Sequence, residues 1–206
     1  MAEIALPLMG QGDDLYDEII RENLSKRILI FNENVTDAVI ENYILYILKW
    51  NREDKEAGIP KESRRKITLI INSAGGDAFS GFNFVDCISQ STTPIRAICM
   101  SMAASMAYHI FICCPERYAF QNSVLLQHDG ELTLQNSTSK VRDTMRFFED
   151  MERRTKDHVL KYTKMTEEFY DSHYDQEYWM YANDKGKELG CVDYIIGEDC
   201  TLDDIL

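Results

Sequence analysis

The stretch KITLIINSAGGDAFSGFNFVDCISQS, residues 66–91, contains a buried strand, a glycine turn and a helix in direct succession. KITLIIN is a short run of β-branched and aliphatic residues, which is typical of a strand that is buried on both faces. The glycines of SAGGD end that strand, and AFSGFNFVDCISQS follows with helical spacing of its apolar residues. Because IRAICM at residues 95–100 again has strand composition, the segment predicts a right-handed βαβ unit with parallel strands.

The same alternation continues on both sides of this unit. The sequence predicts an amphipathic helix over residues 13–26, a strand at RILIFN, a helix at VTDAVIENYILYILKWN and a further strand at SVLLQHDG. Strands that alternate with helices predict an α/β fold with a mainly parallel sheet that is covered on both faces. With 206 residues and no internal repeat, the chain fits a single domain.

The longest apolar run, AICMSMAASMAYHIFICC at residues 97–114, reads as a buried helix that follows the strand IRAICM. It carries Ser101 and Ser105 among alanines and methionines. A serine in a buried helix usually donates to the carbonyl one turn back, so packing is the expected role of either serine taken alone. A function for their hydroxyls therefore depends on residues elsewhere in the chain.

Two further segments break the alternation. Residues 51–66 are polar and predict a surface loop. A β-like ELTL at residues 131–134 precedes a helical pattern over residues 137–162 that has few apolar residues for its length. Such a helix packs on another subunit or is solvated, and the sequence favours neither.

The charge and the cysteines exclude several classes of function. The chain has 22 Lys and Arg against 35 Asp and Glu, and this net charge of −13 argues against binding to nucleic acid or to membranes. No apolar run reaches the length of a membrane span, and Glu3 stands where a signal peptide carries basic residues. The six cysteines lack C-x-x-C spacing and predict buried, reduced side chains. We expect a cytoplasmic protein without a metal site.

Residues suited to catalysis follow three of the strands. Gly75 and Gly76 allow backbone N–H groups to point outward, and Ser105 lies where a strand leads into a helix. His128 lies near the end of SVLLQHDG, and imidazole is the usual base of enzymes at neutral pH. Each feature alone is commonly structural. Together, at the carboxyl ends of parallel strands, they supply the nucleophile, the base and the N–H donors that acyl transfer requires.

Four segments resemble the proteolytic subunit of the Clp protease family. They are LIINSAGGDAFSGFNFVDCI, IRAICMSMAASMAYHIF, RYAFQNSVLLQHDG and ELGCVDYII, within a similarity that spans residues 15–196. The A-A-S-M block, at this separation from I-N-S-x-G-G, is specific. The resemblance implies a single domain over residues 1–206 with the family's crotonase-like α/β fold. It also implies an N-terminal segment at residues 1–12 and a protruding strand-plus-helix handle at residues 131–162.

The resemblance implies a serine endopeptidase. Ser105 matches its nucleophile and His128 its general base, while the N–H groups of Gly76 and Met106 match its oxyanion hole. Ser101 matches no catalytic position, and we assign it to packing. No cofactor is implied.

A third catalytic residue, an acid that orients the histidine, is implied but not fixed by the match. Counting forward from His128 with the family's spacing gives Glu177, and Asp175 is the alternative. The segment HDGELTLQN departs from the family's His-Gln-Pro and glycine-rich strand. Both acids remain candidates.

The resemblance also implies an assembly of two heptameric rings, stacked through residues 131–162, with the serines inside a closed chamber. An AAA+ unfoldase would feed unfolded polypeptide into it and would use the ATP, since this sequence has no G-x-x-x-x-G-K-[ST] motif. The N-terminal segment is shorter than the pore-lining loop of the family. The resemblance therefore supports the chemistry more strongly than it supports coupling to a standard unfoldase.

Two other functions compete with this one. A catalytically weak or silent subunit is favoured by the missing Asp and by HDGELTLQN, whereas Ser105, His128 and the two glycines argue against it because folding does not require their combination. An acyl-CoA enzyme of the crotonase type would use backbone N–H donors without a serine–histidine pair, so it would tolerate Ser105→Ala.

Overall fold

The computed structural model describes residues 12–206, with side chains from Leu15 onward. The helices are α1 (Gly12–Ser25), α2 (Leu45–Glu56), α3 (Ala78–Gln90), α4 (Met106–Ile112), α5 (Thr138–Tyr162) and α6 (Glu167–His173). The strands are β1 (Ile28–Phe31), β2 (Ile67–Ser73), β3 (Ile95–Ala104), β4 (Glu116–Phe120), β5 (Val124–Gln127), β6 (Tyr178–Tyr181) and β7 (Tyr194–Ile196). Short π-helical or 3₁₀ turns lie at Ile40–Ile44, Lys61–Ser63, Ala182–Gly186 and Leu202–Asp204. The predicted N-terminal segment, apart from Gly12, lies outside the described residues.

The strands form one sheet whose main path runs β1-β2-β3-β4-β7 with every neighbour parallel. β3 pairs with β4 as far as Cys99 and then with β5 from Met102 onward. β6 pairs antiparallel with β5 at the end of this branch. The predicted α/β fold with a mainly parallel sheet is confirmed.

The two faces of the sheet are covered unequally. Alternate residues of a strand point to opposite faces, and Leu69 and Ile71 enter the main core together with apolar residues of α2, α3 and α4. Ile70 and Ile98 point the other way, into a small cluster that includes Ile205 near the C-terminus. Both faces of the sheet are therefore covered, as predicted. Helices cover one face, and only a small apolar cluster covers the other.

The predicted loop at residues 51–66 begins as helix, since residues 51–56 belong to α2. α2 continues to Glu56 because Trp50 and Asp54 are buried on its inner side. It ends where Gly58 takes a left-handed φ of 64°, a common way for a helix to stop. Apart from Asp54, the charged residues of this part of the helix are exposed to solvent: Arg52, Glu53, Lys55 and Glu56.

The helix predicted over residues 97–114 begins too early. β3 continues through Ala104, where Ala103 and Ala104 are buried between β2 and β5, and α4 starts at Met106. Ser101 is exposed on β3, so its predicted packing role is wrong.

Of the predicted strand-plus-helix handle at residues 131–162, the structure contains the helix but not the strand. No strand forms at residues 131–134, whereas α5 confirms the long helix. Val159 is the one fully buried residue of α5, and Met145 and Phe147 are exposed.

The cysteine prediction is confirmed for most positions. All six thiols are free, four of them are buried and Cys87 and Cys200 are partly buried. Within residues 12–206, no helix combines the length and the apolar composition that crossing a membrane would need.

A buried ion pair ties α2 to the start of the sheet. The Asp54 carboxylate, 2% exposed, accepts hydrogen bonds from the Arg27 guanidinium at 2.8 and 2.7 Å and from the Thr93 hydroxyl at 2.7 Å. We expect Asp54→Asn to lower the free energy of unfolding by about 3–5 kcal/mol, because it leaves the guanidinium without its charge partner. Urea titration measures this loss, and Glu53→Gln, at an exposed neighbour, should cost no more than about 0.5 kcal/mol.

The Arg27–Asp54 pair also makes the stability of the fold depend on pH. The Arg27 guanidinium holds the pKa of Asp54 below its ordinary value, so the pair stabilises the fold above the unfolded-state pKa of about 4. That contribution is lost as the pH falls through the lower, folded-state pKa. The stability gap between wild type and Asp54→Asn should therefore shrink below about pH 4, and a constant gap would contradict the pairing.

Candidate active site

Ser105 stands at the junction between β3 and α4. It has a φ of 53° and a ψ of −125°, one of two positive φ values among non-glycine residues in the described chain. Such a backbone costs about 1–3 kcal/mol and persists only where neighbouring structure imposes it. The Ser105 N–H donates to the Leu126 carbonyl at 3.0 Å, which fixes the junction against β5. A sharp strand-to-helix turn of this kind presents its side chain at the sheet edge.

His128 reaches the same edge from β5. β3 and β5 run parallel with Ala104 opposite Leu126, so the residues that follow them emerge side by side. The His128 Nε2 atom lies 2.8 Å from the Ser105 Oγ atom. When the neutral ring carries its proton on Nδ1, the Nε2 atom accepts a hydrogen bond from the Ser105 hydroxyl. The structure thus brings together the predicted nucleophile and base.

Gly75 permits the close approach of the β2 loop to this junction. Its φ is 94°, and a Cβ atom there would lie 2.6 Å from the Ala104 carbonyl oxygen, 2.7 Å from the Ser105 Cβ and 2.8 Å from the Met106 nitrogen. Only glycine fits where two backbone segments pack so closely, so position 75 requires a glycine for steric reasons.

The two predicted oxyanion donors lie in one cavity with Ser105. Val35 holds the glycine loop in place through two backbone hydrogen bonds. Its N–H donates to the Gly75 carbonyl at 2.8 Å, and its carbonyl accepts from the Asp77 N–H at 2.9 Å. The N–H groups of Gly76 and Met106 have no acceptor within the described part of the chain. The Met106 N–H belongs to the first turn of α4, where helix donors are free. Both residues line the cavity that holds Ser105 and His128.

The structure does not bring Glu177 or Asp175 to His128. The Glu177 carboxylate accepts from the Trp179 indole at 3.2 Å, and neither acid lines the cavity. Among the described residues, His128 forms no hydrogen bond besides that to Ser105. The count from His128 used the family's spacing without a gap. In the structure Tyr174, at the end of α6, lines the cavity, and neither Asp175 nor Glu177 does so.

The cavity has a volume of about 540 Å³ and contains side chains that the sequence analysis did not single out. His109 lies four residues after Ser105 and could have been found by helical spacing, as could the pair Tyr170 and Tyr174. Glu152 comes from α5, and no local pattern connects it with Ser105. Among the side chains described, no group of three His, Cys, Asp or Glu is placed to hold a metal ion.

Two histidines pack together between α4 and α5, and the first of them, His109, lines the cavity. The His158 ring donates through Nε2 to the His109 carbonyl at 3.0 Å, and the two ring centroids are 5.4 Å apart. Burial, reinforced by the charge of His158, lowers the pKa of His109 to about 3. Burial also lowers the pKa of His158 to about 4. Both rings are therefore neutral in the folded protein.

Because the pKa values of these two histidines are lowered in the folded protein, we expect the free energy of unfolding to fall in mild acid. The unfolded chain takes up their protons near pH 6.5 and the folded chain does so only near pH 3 to 4, so stability falls between these values. For His109 alone, we expect about 2 kcal/mol less unfolding free energy at pH 5 than at pH 8. His109→Phe should remove that part of the slope in urea titrations, and an unchanged slope would contradict the assignment.

Comparison with known proteins identifies the family of this chain. The model of the family described as Clp protease matches residues 11–199. The chain is 28% identical over 193 residues to the ATP-dependent Clp protease proteolytic subunit 1 of Chlamydia caviae, with 91% of this chain and 95% of that protein covered. It is 25% identical over 189 residues to a proteolytic subunit 2 of Corynebacterium efficiens, with 91% and 88% covered. Because the family model spans nearly the whole sequence, this chain belongs to the Clp protease family.

Proposed function

We propose that this chain is a serine endopeptidase, the proteolytic subunit of a Clp-type protease that cleaves unfolded proteins to peptides. The observation that carries the proposal is the 2.8 Å contact between Ser105 Oγ and His128 Nε2, in a cavity shared with two N–H donors. Membership of the Clp protease family supports peptidase chemistry at this site.

In this proposal the Ser105 oxygen attacks the peptide carbonyl while His128 Nε2 takes its proton. The N–H groups of Gly76 and Met106 stabilise the oxyanion. His128 then gives the proton to the leaving amine, and water hydrolyses the acyl-serine by the reverse exchange. Glu177 and Asp175 take no part, so the reaction runs on a serine–histidine dyad.

We further propose that the chain works in the cytoplasm as two stacked heptameric rings served by an AAA+ unfoldase. The relatives are named as subunits of ATP-dependent proteases, and ATP would be used by the unfoldase rather than by this chain. The exposed Met145 and Phe147 of α5 provide apolar surface for a subunit contact.

One observation favours a second candidate, a catalytically weak or silent subunit that assembles with an active one. No carboxylate of the described chain bonds to His128, and a triad without its acid orients and stabilises the imidazolium less well. The aligned Ser105–His128 contact favours the active peptidase.

Digestion of an unstructured polypeptide separates the two candidates. Wild type and the exposed-site control Ser101→Ala should release peptides detectable by mass spectrometry, and Ser105→Ala should release none. Adding a Clp-type AAA+ unfoldase and ATP should extend digestion to a folded substrate. If assembled wild type cleaves neither the polypeptide nor short peptides, the silent subunit is the correct assignment.

A further inference from the structure

Ser73 is a buried polar residue at the end of β2, and the chemistry proposed above does not use it. Its side chain is 3% exposed and lies on the same face of the strand as Leu69 and Ile71, which belong to the main core. Placing a hydroxyl among such residues is unfavourable unless it forms a hydrogen bond. The bond that Ser73 forms is with the glycine loop.

The Ser73 Oγ atom accepts a hydrogen bond from the Gly75 N–H at 3.1 Å. This bond closes the turn that leads from β2 into the loop. Gly75 and Gly76 both have positive φ values, 94° and 146°. Because two such glycines in succession leave the backbone many conformations, neighbouring groups must hold the loop in one of them.

A second restraint acts on the other side of Gly75. The Gly75 carbonyl accepts a hydrogen bond from the Val35 N–H at 2.8 Å. Val35 is itself firmly placed, because its side chain is 1% exposed in the main core. Gly75 is therefore held at its N–H by Ser73 and at its carbonyl by Val35.

These two bonds decide where the Gly76 N–H points. The Gly75 carbonyl and the Gly76 N–H belong to one planar peptide unit, and the described chain contains no cis peptide bond. In a trans peptide the N–H and the carbonyl point in opposite directions. Because the carbonyl is directed at Val35, the Gly76 N–H is directed away from Val35, and Gly76 lines the cavity with Ser105.

The Ser73 bond adds a restraint that the Val35 bond does not supply. A single hydrogen bond to the Gly75 carbonyl leaves the peptide unit free to tilt about that bond. The Ser73 bond restricts the tilt, since it holds the nitrogen of the same glycine. An oxyanion donor acts at about 2.7–3.1 Å from the oxyanion, so even a small tilt weakens it.

We propose that Ser73 is a positioning residue of the active site. Its hydroxyl holds Gly75 so that the Gly76 N–H points at the oxyanion formed when Ser105 attacks the substrate. Ser73 does not line the cavity and acts only through the glycine loop. The inference rests on the proposed peptidase, and it adds a residue on which stabilisation of the transition state depends.

Ser73→Ala tests the role by steady-state hydrolysis of a fluorogenic peptide. We expect kcat to fall about tenfold and KM to change less than about twofold, because the oxyanion forms only after the substrate is bound. Loss of a whole oxyanion donor costs about 10²–10³-fold in kcat, and a tilted donor should cost less.

A peptidyl trifluoromethyl ketone reports on the oxyanion directly. The Ser105 oxygen adds to its carbonyl carbon, the π electrons of the C=O bond move to the oxygen, and the serine proton passes to His128. The inhibition constant of this ketone should rise about tenfold in Ser73→Ala. The affinity for the matched peptide amide, measured in Ser105→Ala, should change less than about twofold when Ser73→Ala is added.

Ser123→Ala is the matched control. Ser123 is also buried, at 1% exposed, but its hydroxyl donates to the Cys99 carbonyl at 2.8 Å and it does not line the cavity. Ser123→Ala should lower the stability in urea as much as Ser73→Ala does and leave both kcat and the inhibition constant unchanged. An equal kinetic loss in the two variants, or values within twofold of wild type in Ser73→Ala, would overturn the proposal.

Amide hydrogen exchange at Gly75 separates this inference from the proposed function, because it needs no catalysis. The Gly75 N–H should exchange at least about tenfold faster in Ser73→Ala than in wild type. Equal exchange rates would remove the role of Ser73 even if wild type is an active peptidase. A wild type that cleaves no peptide would remove the proposed function, and with it the role of Ser73, whatever the exchange rates are.

Discussion

Gly75→Ala is expected to reduce the peptidase activity to below about 1% of wild type and to destabilise the fold by at least about 2 kcal/mol. The added Cβ would lie 2.6 Å from the Ala104 carbonyl oxygen and 2.8 Å from the Met106 nitrogen, at a φ of 94° that L residues avoid. It would therefore push the glycine loop away from Ser105 and from one proposed oxyanion donor.

Gly58→Ala is the matched control. Gly58 also has a positive φ, 64°, but an added Cβ meets nothing within 4 Å. It should cost about 1 kcal/mol from backbone strain and leave kcat/KM unchanged. Peptide hydrolysis and urea titration measure both quantities, and a Gly75→Ala protein with wild-type activity would show that the loop is not held as described.

Ser105→Ala and His128→Ala are each expected to lower kcat by at least about 10³-fold, and the double variant should be hardly worse than either. This non-additivity follows from the direct contact of the two side chains, since neither acts alone. Wild-type stability in urea would show that both variants remain folded.

Glu177→Gln and Asp175→Asn complete this prediction. Because Glu177 bonds to Trp179 and neither acid lines the cavity, each change should alter kcat by less than about threefold. A loss of about 10⁴-fold, as expected for the orienting acid of a triad, would contradict the dyad and restore that residue to the site.

Most of the fold follows from hydrophobic period alone. The buried strands β1 and β2 and the helix α3 have unambiguous patterns, and each was found within one or two residues. The end of β3 was missed because alanine and methionine favour helices, while pairing with β2 and β5 holds residues 101–104 extended. Such a tertiary contact leaves no mark on the local sequence.

The candidate site shows the same division. Ser105 and His128 can be predicted to lie together because both follow strands whose ends meet at one edge of the sheet. Counting along the chain cannot reveal the turn at the end of α6, which leaves Glu177 outside the cavity. Glu152 comes from α5 and reaches the cavity only through tertiary packing, so no spacing rule connects it with Ser105.

Labelling with a fluorophosphonate probe tests the central claim most directly. The probe reacts with a serine that a neighbouring base has activated, and mass spectrometry of the digested protein identifies the modified residue. We predict labelling of wild type at Ser105, retained in Ser101→Ala and lost in both Ser105→Ala and His128→Ala. No labelling of the assembled wild type between neutral and mildly alkaline pH, or labelling at another serine, would contradict the claim that Ser105 is the nucleophile of a peptidase.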